Sequence, residues 1–207
     1  MNLFAGIEDK DQGAFVEIEL PDAEIRFYEN FFDQSECELL FKNLVEKVNW
    51  RNDKIKIFNK EVSIPRLSSW YGNAGLSYSY SGLKLEPNEW NEELLIIKEK
   101  IENHLGIQFN SVLINLYRDG KDSMGWHKDD EKELGINPII ASVSLGQERP
   151  FQLKHIHNKV HGTKTIQLSD GSLLLMQGAT QHFWKHQIPK TSRQIKPRIN
   201  LTFRTIK

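Results

Sequence analysis

The sequence predicts an α+β fold, with a short helical layer ahead of an antiparallel β-core. Three observations predict it. Two segments of the first half carry apolar residues at helical spacing. After Gly106 the pattern changes to short β-branched or alternating runs punctuated by Gly, Pro or Asp. The 207 residues are enough for one well-buried domain and too few for two comfortable ones. No repeat, low-complexity tract or Ser/Gly-rich linker divides the chain, so residues 1–207 read as a single domain, with an N-terminal part to about residue 106 and the β-core from about 107.

In chain order, Asp33 to Trp50 reads as an amphipathic helix. Asp33 or Ser35 can cap it, and Leu39, Leu40, Leu44, Val45 and Val48 recur at helical spacing. A second helix is predicted from about Pro87 to His104, with Leu94, Leu95, Ile97, Ile101 and Leu105 on one period and Gly106 as its C-terminal cap. Ser111–Tyr117, Ile139–Leu145, Thr163–Leu168, Ser172–Gln177 and Arg198–Thr205 read as strands. So many short strands in under 100 residues suggest an antiparallel sandwich or jelly roll.

Composition is that of an ordinary globular chain, 39% hydrophobic and 27% charged, which argues against disorder. No apolar run approaches the roughly 18 residues of a membrane helix, and the N-terminus lacks a signal-peptide pattern, so no membrane partner is expected. A single cysteine, Cys37, precludes an internal disulfide and reads as a packed small hydrophobe. The expected compartment is the cytoplasm, with the nucleoid in a bacterium and the nucleus in a eukaryote left open. The net charge of −1 hides an asymmetry. Residues 152–207 hold ten Lys or Arg against Asp170 alone, and the other 151 residues hold 17 basic and 27 acidic side chains. A basic C-terminal quarter can attract a polyanion, or the two parts can pair across the fold.

The chemistry lies in GWHKDDE, residues 125–131. His127 and Asp129 are two apart, so on extended backbone they point the same way and supply two legs of a 2-His-1-carboxylate set. The third leg is a later histidine: His155, His157, His161, His182 or His186, among which spacing does not choose. In PRINLTFR, Arg198, Asn200, Thr202 and Arg204 share one face of a strand and Ile199, Leu201 and Phe203 the other. Two inward guanidiniums need carboxylates, and a dicarboxylate ligand is what they can hold bidentately. Asn115 and Tyr117 in VLINLYRDG add co-facial hydrogen-bonding groups. Trp70 and Trp126 read as packing residues, and His155, His157 and His161 as a loop.

These motifs in order, NLYRDGKDSMGWHKDDE, IIASVSLG, the His186 segment and PRINLTFR, resemble the AlkB family of Fe(II)/2-oxoglutarate dioxygenases. PRLSSWYGNAGLSYSYSG resembles the family's substrate lid, closest to members that act on duplex DNA. The resemblance runs from about Ile55 to Arg204. It implies a double-stranded β-helix (jelly roll) with N-terminal helices and a nucleotide-recognition lid. It also implies Fe(II), with 2-oxoglutarate and O2 as co-substrates, and oxidative demethylation of bases such as 1-methyladenine or 3-methylcytosine. Residue by residue, it implies His127, Asp129 and His186 as metal ligands, the last preferred to His182 by the family pattern. Asn115, Tyr117, Arg198, Asn200, Thr202 and Arg204 match the 2-oxoglutarate contacts. Arg66, Tyr78, Tyr80 and Asp130 match substrate contacts, and Phe58 an apolar wedge on a hairpin. Asn59 stands where that hairpin has Gly. The expected partner is alkylated DNA, or RNA, met by a monomer. The rival readings are the same cofactors on RNA, protein or a small molecule, and a non-catalytic nucleic-acid-binding jelly roll, whose signature would be a lost ligand or arginine.

Overall fold

The computed structural model describes residues 14–57, 60–76, 78–80 and 83–207. In chain order its elements are β1 (Val16–Glu17), β2 (Glu24–Tyr28), α1 (Gln34–Lys47), β3 (Lys54–Ile57), β4 (Lys60–Ser63), β5 (Leu67–Gly72), β6 (Tyr78–Tyr80), β7 (Leu83–Leu85), α2 (Glu92–Leu105), β8 (Ser111–Tyr117), β9 (Met124–His127), β10 (Ile140–Gly146), β11 (Arg149–His155), β12 (Thr163–Leu168), β13 (Leu173–Gln177), α3 (Thr180–Phe183), β14 (Trp184–Ile188) and β15 (Arg198–Arg204). Two antiparallel sheets form the core, a large one ordered β1-β2-β13-β10-β15-β8-β5 and a small one ordered β12-β11-β14-β9. The β3–β4 and β6–β7 hairpins stand apart from both. This is the predicted α+β jelly roll with N-terminal helices.

Alternation on the central strands divides the interior in two. Ile199, Leu201 and Phe203 of β15 and Val112, Ile114 and Leu116 of β8 pack with Leu40 and Leu44 of α1 and Leu94, Ile97 and Ile101 of α2. The opposite side of the large sheet faces the small one. Between them Ile140, Phe151, Leu153, Leu174, Met176 and Trp184 form a second apolar cluster. All seven residues of β15 are buried, so its polar side is enclosed and not solvated. That settles the orientation of Arg198, Asn200, Thr202 and Arg204, which point into the sandwich because a one-residue slip would put the apolar set there.

Both predicted helices are present but shorter. α1 begins on a capping box: the Asp33 carboxylate accepts the Glu36 N–H and the Glu36 carboxylate accepts the Asp33 N–H. It stops at Val48, which is extended, and not at Trp50. α2 starts at Glu92, after the Asn91 cap, so Pro87–Asn91 is not helical; it ends at Gly106 in the left-handed region (φ 67°), as its cap role requires. Leu39, Val45 and Leu95, expected on the apolar faces, are 40%, 40% and 43% exposed. The five predicted strands recur within one residue at each end. Cys37 is buried and free. No described helix is long and apolar enough to cross a membrane.

Candidate active site and metal centre

β9 and β14 are antiparallel neighbours in the small sheet, and His127 and His186 are register partners across them, with ring centroids 4.2 Å apart. Asp129 follows two residues beyond His127, just past the strand end, and its Oδ2 lies 3.6 Å from His186 Nε2. One ligand atom from each of these three residues falls within 4.8 Å of the others, a set that could hold a metal ion. His127 Nδ1 lies 2.9 Å from the Gly125 carbonyl. A carbonyl only accepts, so Nδ1 carries the proton and Nε2 keeps its lone pair for a metal. Burial, then the neighbouring His127, pushes the His186 imidazole down to about 3, so it is neutral at physiological pH, as ligation requires. Burial alone would raise the Asp129 carboxyl, but Arg204 and the two histidines outweigh it and hold it below the usual carboxylate range.

The other four candidate histidines stand elsewhere. His182 is exposed in α3 and its Nε2 is 2.8 Å from Asn137 Oδ1. His155 ends β11, with Nε2 3.4 Å from Asp22 and Nδ1 accepting the His157 and Asn158 N–H groups. His157 and His161 lie in the following segment as aromatic neighbours of His155.

Beside the triad, the polar side of the large sheet lines a cavity that includes Asn115, Tyr117, Arg198, Asn200, Thr202 and Arg204, together with His127, Asp129 and His186. Arg198 sits opposite Tyr117 in the β15–β8 register, with its guanidinium carbon 5.3 Å from the Tyr117 ring centroid. Its Nη2 donates to Ser144 Oγ at 2.8 Å, while Nε and Nη1 are buried with no partner among the described residues. Burial pushes this guanidinium down to about 10, still charged at neutral pH. A buried cation with two idle donors is a receptor for a carboxylate. Asn200 donates to Ser142 Oγ and the Val143 carbonyl, and its Oδ1 accepts the Thr202 hydroxyl. Arg204 Nη2 donates to Asp129 Oδ1, which joins the arginine side of the cavity to the triad.

A second, outer cavity of about 180 Å³ opens over His127 and Asp129. Arg66, Asn115, Met124, Glu131 and Leu134 are among its walls. Arg66 is buried and already engaged, donating to Asn115 Oδ1 at 2.8 Å and to the Ser123 carbonyl at 3.1 Å. Asn115 therefore offers the cavity its Nδ2. Asp130, expected to reach a substrate, points outward: it is 42% exposed and pairs with Lys128 at 2.5 Å. Its neighbour Glu131 lines the outer cavity instead, with Oε2 buried and unpartnered among the described residues. Trp126, expected to pack, is 37% exposed. Trp70 packs against the cluster between the sheets. Tyr78 and Tyr80 lie on β6, paired with Leu85 and Leu83. Phe58 falls outside the described residues.

Two contributors were not singled out from sequence. Gln181, 1% exposed, accepts the Asp129 N–H at 2.9 Å. Arg149, equally buried, donates to the carbonyls of Asp122 and Pro189 at 3.0 and 2.7 Å. A polar residue beside one of the candidate histidines, in GATQHFWKH, and an arginine within an alternating run, in RPFQLKH, were the available signals.

Residues 24–204 match the family model described as the 2OG-Fe(II) oxygenase superfamily. The chain is 44% identical over 85% of its length to "Alpha-ketoglutarate-dependent dioxygenase alkB homolog 3" of Bos taurus, of which it spans 64%. It is 38% identical over 86% of its length to "DNA oxidative demethylase ALKBH2" of Mus musculus, spanning 79% of that protein. The solved structure of OsALKBH1 superposes with a TM-score of 0.63 over 93% of this chain and 100% of that one, at 12% identity, which supports the fold alone. Ordered motifs, a two-sheet core and this extent of identity lead to one conclusion: the chain belongs to the 2OG-Fe(II) oxygenase superfamily, among its AlkB homologues.

Proposed function

We propose that this protein removes alkyl groups oxidatively from the ring nitrogens of nucleobases in DNA, using Fe(II) held by His127, Asp129 and His186. The observation that carries this reading is the meeting of two cavities at His127 and Asp129, an inner one lined also by His186 and by an arginine with idle donors, and an outer one open to a substrate. Fe(II), 2-oxoglutarate and O2 would supply the oxidising chemistry: the carbon bound to the ring nitrogen would be hydroxylated and released as an aldehyde, formaldehyde for a methyl group, and the co-substrate would leave as succinate and CO2.

The chain's own residues bind and orient. Arg198, with Tyr117 and Ser144, receives the distal carboxylate, while Asn115, Asn200 and Thr202 line the cavity between it and the metal. Arg204 offsets the charge of Asp129 and stands beside the end of the acid that reaches the metal. Tyr78 and Tyr80 of the lid contact a base swung out of the duplex, with Tyr80 stacking on it; extrusion is needed because the alkyl group sits on the pairing edge, and stacking offsets roughly 1–3 kcal/mol of its cost. Arg66 holds Asn115 in place rather than meeting the base itself, and Phe58 is the apolar residue that fills the gap the base leaves. We further propose a monomer working in the cytoplasm, in keeping with a chain whose sole cysteine is buried and free.

The test is incubation with oligonucleotides carrying 1-methyladenine or 3-methylcytosine, single-stranded and duplex, DNA and RNA, with Fe(II) and 2-oxoglutarate. Formaldehyde release and loss of one methylene mass from the oligonucleotide are expected with DNA. Turnover of 2-oxoglutarate with neither product from any oligonucleotide would overturn the nucleobase reading while sparing the cofactor assignment.

A further inference from the structure

Two buried guanidiniums sit on one aromatic ring. The guanidinium carbon of Arg198 lies 5.3 Å from the Tyr117 ring centroid, and that of Arg149 lies 5.6 Å from the same centroid. The two differ in what surrounds them. Arg198 lines the inner cavity, and two of its nitrogens are unpartnered among the described residues. Arg149 does not line it. Its terminal nitrogens donate to three backbone carbonyls, those of Asp119, Asp122 and Pro189. These bonds tie the segment between β8 and β9 to the end of β14.

Carbonyls satisfy hydrogen bonds but carry no net charge, so the cation of Arg149 remains. Among the described residues no carboxylate lies within ion-pair distance of either arginine. Two acids along the loop make their hydrogen bonds elsewhere, Asp122 with Arg118 at 2.8 and 2.9 Å and Asp119 with the Lys121 N–H, and act on Arg149 only through space. The closed end of the cavity therefore holds one cation that can touch a ligand and a second that cannot. Burial of two like charges around one ring is costly, and that cost falls when an anion enters. A buried hydrocarbon side chain would have tied nothing down, and a neutral amide, with two N–H donors, could have met two of the three carbonyls at most. The choice of a guanidinium adds charge at a position where contact is not needed.

We infer that Arg149 is a specificity-determining residue for the co-substrate: acting through its charge, behind Tyr117, it makes the cavity select a doubly charged 2-oxoacid over a singly charged one. This rests on the reading of the inner cavity as the 2-oxoglutarate site. Arg198 supplies the contact and Arg149 the field, so Arg149 is not a catalytic residue.

The test compares 2-oxoglutarate with 2-oxopentanoate, which has the same chain length and lacks the distal carboxylate. Binding of each to the Mn(II)-loaded protein without O2 is measured by calorimetry, and the ratio of affinities is the readout. Two variants are used. Arg149→Gln keeps an amide donor for the carbonyls and loses the charge; Arg149→Lys keeps the charge and loses the planar fork. In Arg149→Gln the preference for 2-oxoglutarate should fall by roughly tenfold, the size of one further charge acting across an effective dielectric of about 20. In Arg149→Lys it should stay within about threefold of the natural protein, since the charge remains. An unchanged ratio in folded Arg149→Gln, including one where both acids weaken equally, overturns the inference and leaves Arg149 a structural tie. Loss of the preference in Arg149→Lys overturns it as well, and this variant decides alone if Arg149→Gln does not fold. If the natural protein shows no preference for the diacid, the reading of the cavity itself fails first.

Discussion

Gln181 holds the backbone of Asp129: its side-chain Oε1 accepts the Asp129 N–H at 2.9 Å across 52 residues of sequence. Gln181 belongs to α3, the four-residue helix between β13 and β14, so the element that delivers His186 also fixes the carboxylate opposite it. Its Nε2 donates to the Met176 sulfur at 3.6 Å, which holds the amide in the orientation that presents oxygen to Asp129. Gln181→Leu removes the acceptor and leaves a buried N–H unpaired, at a cost of about 1–3 kcal/mol. The expected outcome is a loss of roughly 10–100-fold in metal affinity, the range for supporting groups of ligands. Mn(II) titration followed by thermal shift measures it, and an affinity unchanged in a folded variant would leave Gln181 a purely structural residue.

His186 and His182 are four residues apart, and the structure separates them by facing. His186 is buried in register with His127, while His182 is exposed and bonded to Asn137. His186→Ala should abolish tight Mn(II) binding. His182→Ala removes one exposed hydrogen bond and should leave binding within about twofold, because surface substitutions typically change stability by less than about 0.5 kcal/mol. Metal titration of the two variants side by side checks this, and equal losses would reassign the third ligand.

The ease of reading β15 and the difficulty of reading β11 and β14 have one physical origin. In PRINLTFR the apolar positions are large and uniform, so the two-residue period is plain and the polar set stands out. β11 and β14 alternate as well, with Arg149, Phe151, Leu153 and His155 buried on one and Trp184, His186 and Ile188 on the other. Their inward sets include arginine and histidine, which a polar-outside rule sends to the surface. A jelly roll that keeps a charged cavity between its sheets breaks that rule where function requires it. The choice of His186 over His182 is of the same kind: His182 lies in the short helix and His186 just after it, and only the pairing of β14 with β9 decides which faces Asp129. The overlong helix ends reflect apolar residues that continue the period past the last hydrogen-bonded turn, Val48 and Trp50 at α1 and the approach through Trp90 to α2. Asp130 and Glu131 are adjacent carboxylates whose roles only the turn after β9 distinguishes.

Acidification should destabilise the metal-free protein through His186. Its folded value of about 3 lies below the ordinary 6.5, chiefly from burial. The unfolded chain therefore binds more protons between those values, so stability is full above about pH 6.5 and falls as pH drops toward 3. The Asp129 carboxyl, also depressed, adds a loss of the same sign only below 3.8. Urea unfolding of metal-free protein at pH 7, 6, 5 and 4 should show a steady decline in midpoint. In His186→Gln, which does not titrate, most of that slope should vanish; a slope retained in full would place the titrating group elsewhere.

Glu131 and Asp130 should trade the roles their sequence positions suggest. Glu131 Oε2 is buried at the wall of the outer cavity with no partner among the described residues, a destabilising arrangement that a donor from a bound molecule would relieve. An exocyclic amino group on an alkylated adenine or cytosine is such a donor. Glu131→Leu should therefore stabilise the free protein by about 1 kcal/mol, as removal of an unsatisfied polar group does. It should also lower kcat/KM on such bases by roughly tenfold, the value of one hydrogen bond to a charged group. The KM for 2-oxoglutarate should stay unchanged, since Glu131 does not line the inner cavity. Asp130 pairs with Lys128 in solvent, an arrangement worth about 0–1 kcal/mol, so Asp130→Ala should alter neither stability nor turnover by more than that. Thermal melts and steady-state rates of the two variants on one methylated oligonucleotide decide between them: a rate loss in Asp130→Ala with Glu131→Leu unaffected would return the substrate contact to Asp130.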